Sequence, residues 1–331
     1  MSEGMSTTKI SHVLIPKSGL NFEVPSSFDI FVPMGDRFLK VIASGQMIDR
    51  SRVERYLEKR ADVLYIESIA IERFLDEKFF SLYDSMSRHL DAEVRFQELI
   101  RCLELCLLDL RLVRFHPDKF MRLGMVIEML FEVFKKRDMR GILIKVSHEN
   151  MENPFTRRSI LGAFLGLAMV FEQGDTTKAM FSSLMLGSLL RDFECPTFGD
   201  SDPHMRQESL EGEALAQFKL HPQSIVKRLH DFKMADDLVD NLVMQHHEHP
   251  SGTGFPRGLK RFETYMPAQF IWLADWLINV LYDAKEKAIT YKAIAESIKI
   301  SIPVEQKKAL PFVLRVLSQC YGEQLTLASS V

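Results

Sequence analysis

Residues Val243 to Leu259 read VMQHHEHPSGTGFPRGL. Three of the chain's ten histidines, His246, His247 and His249, fall within four positions here, directly before a glycine-rich turn closed by Phe-Pro. Adjacent imidazoles at the end of a helical stretch fit either a polar helix terminus or a metal site at the mouth of a pocket. The surrounding sequence decides between them. An imidazole pair needs further ligands from other helices to hold a cation, as helical metal sites do. Three residues offer themselves: Asp192 in LLRDFEC, His221 in LHPQS and Asp275 in LADWL. Both aspartates interrupt apolar runs, LMLGSLL before Asp192 and FIWLA before Asp275. An unpaired carboxylate is costly to bury, so each needs a cation, an arginine or a set of backbone donors. His249 reads as an exposed residue rather than a ligand.

Composition sets the outer frame. The chain has 331 residues, 46% of them hydrophobic, and a formal net charge of -3. That is enough apolar material for one large or two ordinary domains. The charge balance gives no bulk attraction to a nucleic-acid polymer or an anionic membrane. The start, MSEGMSTTKISHVLIP, has no basic segment followed by an apolar run, so no secretory signal is expected. No run of about 18 apolar residues suggests a membrane span. The four cysteines, Cys102, Cys106, Cys195 and Cys320, have no metal-knot spacing. They read as buried free thiols, which suits a reducing cytoplasm.

Periodicity divides the chain. HVLIP, FDIFVPM, RFLKVIAS and ADVLYIE are short β-rich runs, with a helical pattern in DRSRVERYLEKR between the last two. Residues 1–85 are therefore expected to form a small mixed α/β domain. From about Ile69 the apolar residues recur every three or four positions, through IERFLDEKFFSLYDSMSRHL, EVRFQELIRCLELCLLDLRL and KFMRLGMVIEMLFEVFKKR. Residues 86–148 read as a helical connector and 149–331 as a helical domain, with turns at EQGD, CPTFGDSDP and SGTGFPRG. The fold class expected is mainly α.

The order of these motifs resembles a known family. HHEHPSGTGFPRGL is similar to the HHExxDGxGYPxGL signature of the HD-GYP family, bacterial metal-dependent phosphodiesterases acting on cyclic di-GMP. LHPQS resembles that family's single-histidine motif, and LADWLINVLYD its last aspartate motif. NPFTRRS resembles the opening DPYTxxH, and LLRDFEC resembles LLHDIGK. Ser159 and Arg191 stand 32 positions apart, the spacing expected for the family's opening and HD histidines. The resemblance runs from about Met151 to the C-terminus. It implies an all-helical HD-domain core preceded by the small mixed domain, and the first eighty or so residues weakly resemble an N-terminal domain of some such proteins.

The resemblance also assigns roles. Asp192, His221, His246, His247 and Asp275 match the family's metal-binding positions, and Gly252, Gly254, Phe255 and Pro256 match its GYP loop. Several positions depart from the pattern. Ser159 and Arg191 stand where two ligand histidines belong, Cys195 replaces a lysine, Ser251 an aspartate, Phe255 the tyrosine and Ala284 an arginine. Lys287 keeps a positive charge near the last of these, a candidate contact for a nucleotide phosphate. The family's second half-site survives whole as Asp192, His221, His246 and His247. The first keeps only Asp275 and a share of Asp192. Serine ligates poorly, and a protonated guanidinium does not ligate at all. Arg191 instead brings one positive charge to the vacated position, where it can neutralise Asp275.

The expectation is thus one transition metal, Fe, Mn, Ni or Zn, with no second metal. Two-metal hydrolysis depends on paired cations to activate water and clamp both oxygens. The resemblance then implies a signalling or interaction protein of cyclic di-GMP pathways with little or no hydrolysis and no assigned catalytic residue. Cyclic di-GMP and a GGDEF-domain diguanylate cyclase are the implied partners. The alternatives are an active metal-dependent phosphodiesterase and a metal-free structural adaptor.

Overall fold

A computed structural model describes residues 12–15, 20, 24–35, 37–60, 64–88, 92–112, 115–136, 140–142, 144, 154–174, 176–195, 210–234, 236–286 and 291–321. The chain divides into two compact units, Met1–Ser85 with Leu112–Arg114, and Met86–Arg111 with Phe115–Val331. The architecture is mainly α with one small antiparallel sheet.

The first unit holds that sheet, with β1 (His12–Ile15), β2 (Ile30–Met34), β3 (Arg37–Ile42) and β4 (Leu64–Glu67) in the order β1-β4-β2-β3. Its helix α1 (Arg50–Arg60) lies between β3 and β4 in sequence, and α2 (Ile71–Arg88) follows β4. Alternation explains the strands. In β4, Leu64 and Ile66 are buried while Tyr65 and Glu67 are half-buried, the period-two signature of one covered face. The β-rich runs read from sequence are these four strands.

The second unit is helical. Its described helices are α3 (Ala92–Leu112), α4 (Pro117–Phe134), α5 (Pro154–Phe171), α6 (Lys178–Leu190), α7 (Gly212–Asp231), α8 (Asp237–Gln245), α9 (Met266–Glu286), α10 (Tyr291–Ser301) and α11 (Leu310–Tyr321). Helix α5 is the centre of the core. Every residue from Arg158 to Val170 is buried, the mark of a helix apolar all round and packed on all sides. It lies against α9 and α6, and α6 in turn lies against α8 and α4. Starts follow from local chemistry. The Thr177 side chain accepts from Met180 N at 3.2 Å and caps α6. Asp236 accepts from Leu238 N at 3.0 Å and Val239 N at 2.9 Å and caps α8. Such caps satisfy orphan N–H groups of the first turn.

All four cysteines are free and buried. Burial pushes the Cys102 thiol up to about 12, so it is inert at neutral pH. No helix among the described residues is long and apolar enough to cross a membrane.

Candidate metal centre

Three elements deliver the four residues of the centre. Asp192 stands in the turn just past the end of α6, His221 in the middle of α7, and His246 and His247 just past the end of α8. Each offers one ligand atom, and these atoms all lie within 4.8 Å of one another. Asp192, His221 and His246 are fully buried; the His247 side chain keeps 15% of its exposure. Four of the five metal-site residues expected from sequence therefore converge, drawn from a span of more than fifty positions.

Two of the imidazoles are oriented by backbone carbonyls. His221 Nδ1 lies 2.6 Å from Phe218 O, and His246 Nδ1 lies 2.6 Å from Val243 O. The first acceptor is available because of the next residue in the chain. Pro222 sits inside α7 without an N–H, so it cannot take the Phe218 carbonyl four residues back, which would be its helical partner. That carbonyl is left to the His221 ring. Val243 lies in the last turn of α8, where carbonyls lack helical donors. In both rings Nδ1 therefore donates, and Nε2 is left as an acceptor. The two Nε2 atoms face each other at 3.2 Å. With both rings neutral the two acceptors cannot bond each other, and a cation held by both would satisfy them.

Electrostatics agree. Burial pushes His221 down to about 4 and His247 down to about 3. Both are neutral at pH 7 with lone pairs free. Asp192 Oδ1 lies 3.4 Å from His246 Nε2, 3.5 Å from His221 Nε2 and 3.8 Å from His247 Nε2. Neither Asp192 oxygen has a hydrogen-bond partner of good geometry, and nor does His247 Nε2. Burial opposes the Asp192 charge, yet the Arg191 guanidinium holds its carboxyl well below the usual range. Three imidazoles and one carboxylate with convergent, unsatisfied atoms fit a single first-row transition metal.

Asp275 does not join this cluster. Its carboxylate is held by Arg191, whose Nη2 donates to Oδ1 at 2.6 Å and whose Nε donates to Oδ2 at 3.2 Å. This is the two-bond fork that suits guanidinium and carboxylate. Arg191 Nη1 also donates to Ser188 O, and to Ser159 O at 3.5 Å. Its Nε stands 3.2 Å from Asp192 Oδ2. Asp192 is thus shared, with one oxygen towards the imidazoles and the other towards the guanidinium. Burial disfavours the Arg191 charge, but Asp275 and Asp192 outweigh it and hold the pKa above its ordinary value.

Sequence reasoning missed three residues that make this possible. Gly162, one turn beyond Ser159 on α5, clears space for the guanidinium. A Cβ there would lie 2.6 Å from Arg191 Nη2 and 3.2 Å from Asp275 Oδ1. Arg158, also buried, donates from Nη1 to Asn279 Oδ1 at 2.9 Å and places Nη2 3.9 Å from Asp275 Oδ1. Glu248 is buried and accepts from Arg257 N and Leu259 N, each at 2.7 Å. Its carboxylate ties down the loop that holds Gly252, Gly254, Phe255 and Pro256. Only Glu248 had a signal, its place in the HHE triplet. Phe255 is buried and stacks on His247, with ring centroids 4.5 Å apart and planes at 20°. Lys287 lies outside the described residues.

No known family profile matches the chain, and no curated protein is significantly similar to it in sequence. Among solved structures it is similar to Bd1817, a HDG"Y"P protein from Bdellovibrio bacteriovorus, with a TM-score of 0.63 and 18% identity over 92% of this chain and 100% of that one. At that identity the likeness is one of fold. The helical packing, the converging histidines and this likeness lead to one conclusion: the chain has the fold of an HD-GYP protein, a mainly α, HD-type core with a small mixed N-terminal unit.

Proposed function

We propose that the chain is a degenerate HD-GYP protein of cyclic di-GMP signalling, with one metal held by Asp192, His221, His246 and His247 and with little or no hydrolysis. The observation that carries this reading is the division of labour at Asp192. One oxygen faces three imidazole nitrogens, and the other faces a buried guanidinium. Where a second cation would stand beside Asp275, a fork of N–H donors is already bonded.

A bound transition metal supplies Lewis acidity at the imidazole side. The protein's own groups do the rest. His221 and His246 present fixed Nε2 lone pairs, Asp192 balances charge, and Arg191 keeps the sign of the missing cation without its capacity to accept a ligand. Four of the five Arg191 N–H donors are spent on Asp275, Ser188 and Ser159. They are not free to clamp a leaving oxygen. The metal is one of Fe, Mn, Ni or Zn by ligand type.

The test is a hydrolysis assay with cyclic di-GMP beside a direct binding measurement. Turnover is expected to stay far below the common enzyme range of about 1–10³ s⁻¹, with or without added metal. A kcat inside that range overturns the reading in favour of an active phosphodiesterase.

A further inference from the structure

The three imidazoles of the centre are not held in the same way. His221 and His246 each spend Nδ1 on a carbonyl three residues back. No backbone carbonyl does this for His247 among the described residues, and its Nε2 has no hydrogen-bond partner either. What touches the His247 ring is aromatic: the imidazoles of His246 and His221, with centroids 4.1 and 5.0 Å away, and two phenyl rings. Phe255 lies parallel to it at 4.5 Å, and Phe218 lies tilted at 57° with centroids 5.2 Å apart. Phe218 and Phe255 also touch each other edge to face at 5.6 Å. A phenyl stack fixes a plane without choosing a tautomer, so it orients a ring that no hydrogen bond orients.

The loop, in turn, is built to deliver that phenyl. Phe255 N donates to His247 O at 3.2 Å, folding the loop back on the histidine it covers. The Glu248 carboxylate fixes the far side through Arg257 N and Leu259 N. Gly254 lies against the backbone of His247, Glu248 and His249, where a Cβ has no room. Gly252 and Gly258 adopt φ of +83° and +66°, conformations that favour glycine. The loop thus has a mechanical purpose that the ligand set alone does not explain.

We propose that Phe255 is a positioning residue for the metal centre, setting the plane of the His247 ring so that its Nε2 points at the ion held by the other three ligands. The inference rests on the single-metal reading above. Through Phe255, movement of the loop at 249–259 becomes a change in metal ligation. Groups that orient ligands from outside the coordination sphere typically change metal affinity 10–100-fold, which sets the scale expected.

Cobalt(II) is the probe, because its visible absorption reports ligand number and type. It is titrated into the metal-stripped full chain and into Phe255→Ala, Phe255→Leu, Phe255→Tyr, His247→Ala and the His247→Ala/Phe255→Ala double variant. Far-UV circular dichroism checks that each is folded. Phe255→Ala is expected to lower cobalt affinity about 10–100-fold and to shift the spectrum towards that of His247→Ala. Phe255→Tyr, which keeps the stack, is expected to restore both. In the double variant the Phe255 change is expected to add little, because two residues acting through one ligand are not additive. Should Phe255→Ala fail to fold, Phe255→Leu carries the same comparison. If Phe255→Ala binds cobalt like the unaltered chain, or loses the same factor with and without His247, the proposal is overturned. If the unaltered chain takes up no cobalt at all, the single-metal reading itself fails.

Discussion

Arg191→Ala is expected to destabilise the helical unit by about 3–5 kcal/mol, the usual cost of removing one partner of a buried ion pair. The side chain is fully buried and gives two hydrogen bonds to Asp275 and further ones to the carbonyls of Ser188 and Ser159. Alanine leaves a cavity, two carbonyls without that donor and a carboxylate without its fork. Asp192 loses the cation beside its Oδ2 as well. Two features reduce the loss. Asp275 keeps some exposure, with 13% of its side-chain surface open, and Arg158 Nη2 stands 3.9 Å away. Arg191→Lys separates charge from geometry, since an ammonium keeps the sign and loses the planar fork. It is expected to fall between the two. Chemical denaturation followed by circular dichroism reads all three proteins. A neutral Arg191→Ala contradicts the ion-pair account.

The second large effect concerns the vacated half of the centre. Ser159 and Arg191 are both buried, and Arg191 Nη1 already reaches Ser159 O at 3.5 Å. They sit on neighbouring packed helices, α5 and the end of α6. Ser159→His combined with Arg191→His places imidazoles at both positions and frees Asp275 from its guanidinium. Metal uptake is expected to rise from one towards two per chain, read by elemental analysis after loading with excess metal and desalting. Hydrolysis is expected to stay weak, because Cys195, Ser251 and Phe255 remain. A double variant that folds and still takes up no more metal than the unaltered chain contradicts the idea that Arg191 stands in for a cation.

Much of this was legible in the sequence, for definite reasons. Strand alternation and helical periodicity are local, so the runs at HVLIP, FDIFVPM, RFLKVIAS and ADVLYIE and the long helical stretches could be read one at a time. Asp192 was legible because an aspartate after LMLGSLL is expensive unless something answers it, and the resemblance to HD-GYP motifs grouped it with His221, His246 and His247. Other features were hidden because they depend on contacts across the fold. Gly162 looks like one more small residue in the apolar run ILGAFLG, and its purpose appears only when Arg191 arrives from another helix. Arg158 looks the same as its neighbour Arg157 in the sequence, yet it is buried against α9, where it bonds Asn279. Pro222 reads as a helix breaker, but its missing N–H frees the carbonyl that orients His221. Phe255 read as a lost hydroxyl, while its ring is what faces His247.

A single-metal centre beside a resident guanidinium is open to direct measurement. Its most direct test is elemental analysis of the full chain purified without chelator, repeated after loading with Fe, Mn, Ni and Zn in turn. One tightly held ion per chain is expected, lost on Asp192→Ala or His246→Ala and kept on Ser159→Ala. Two tightly held ions per chain, or none under any loading condition, contradicts it.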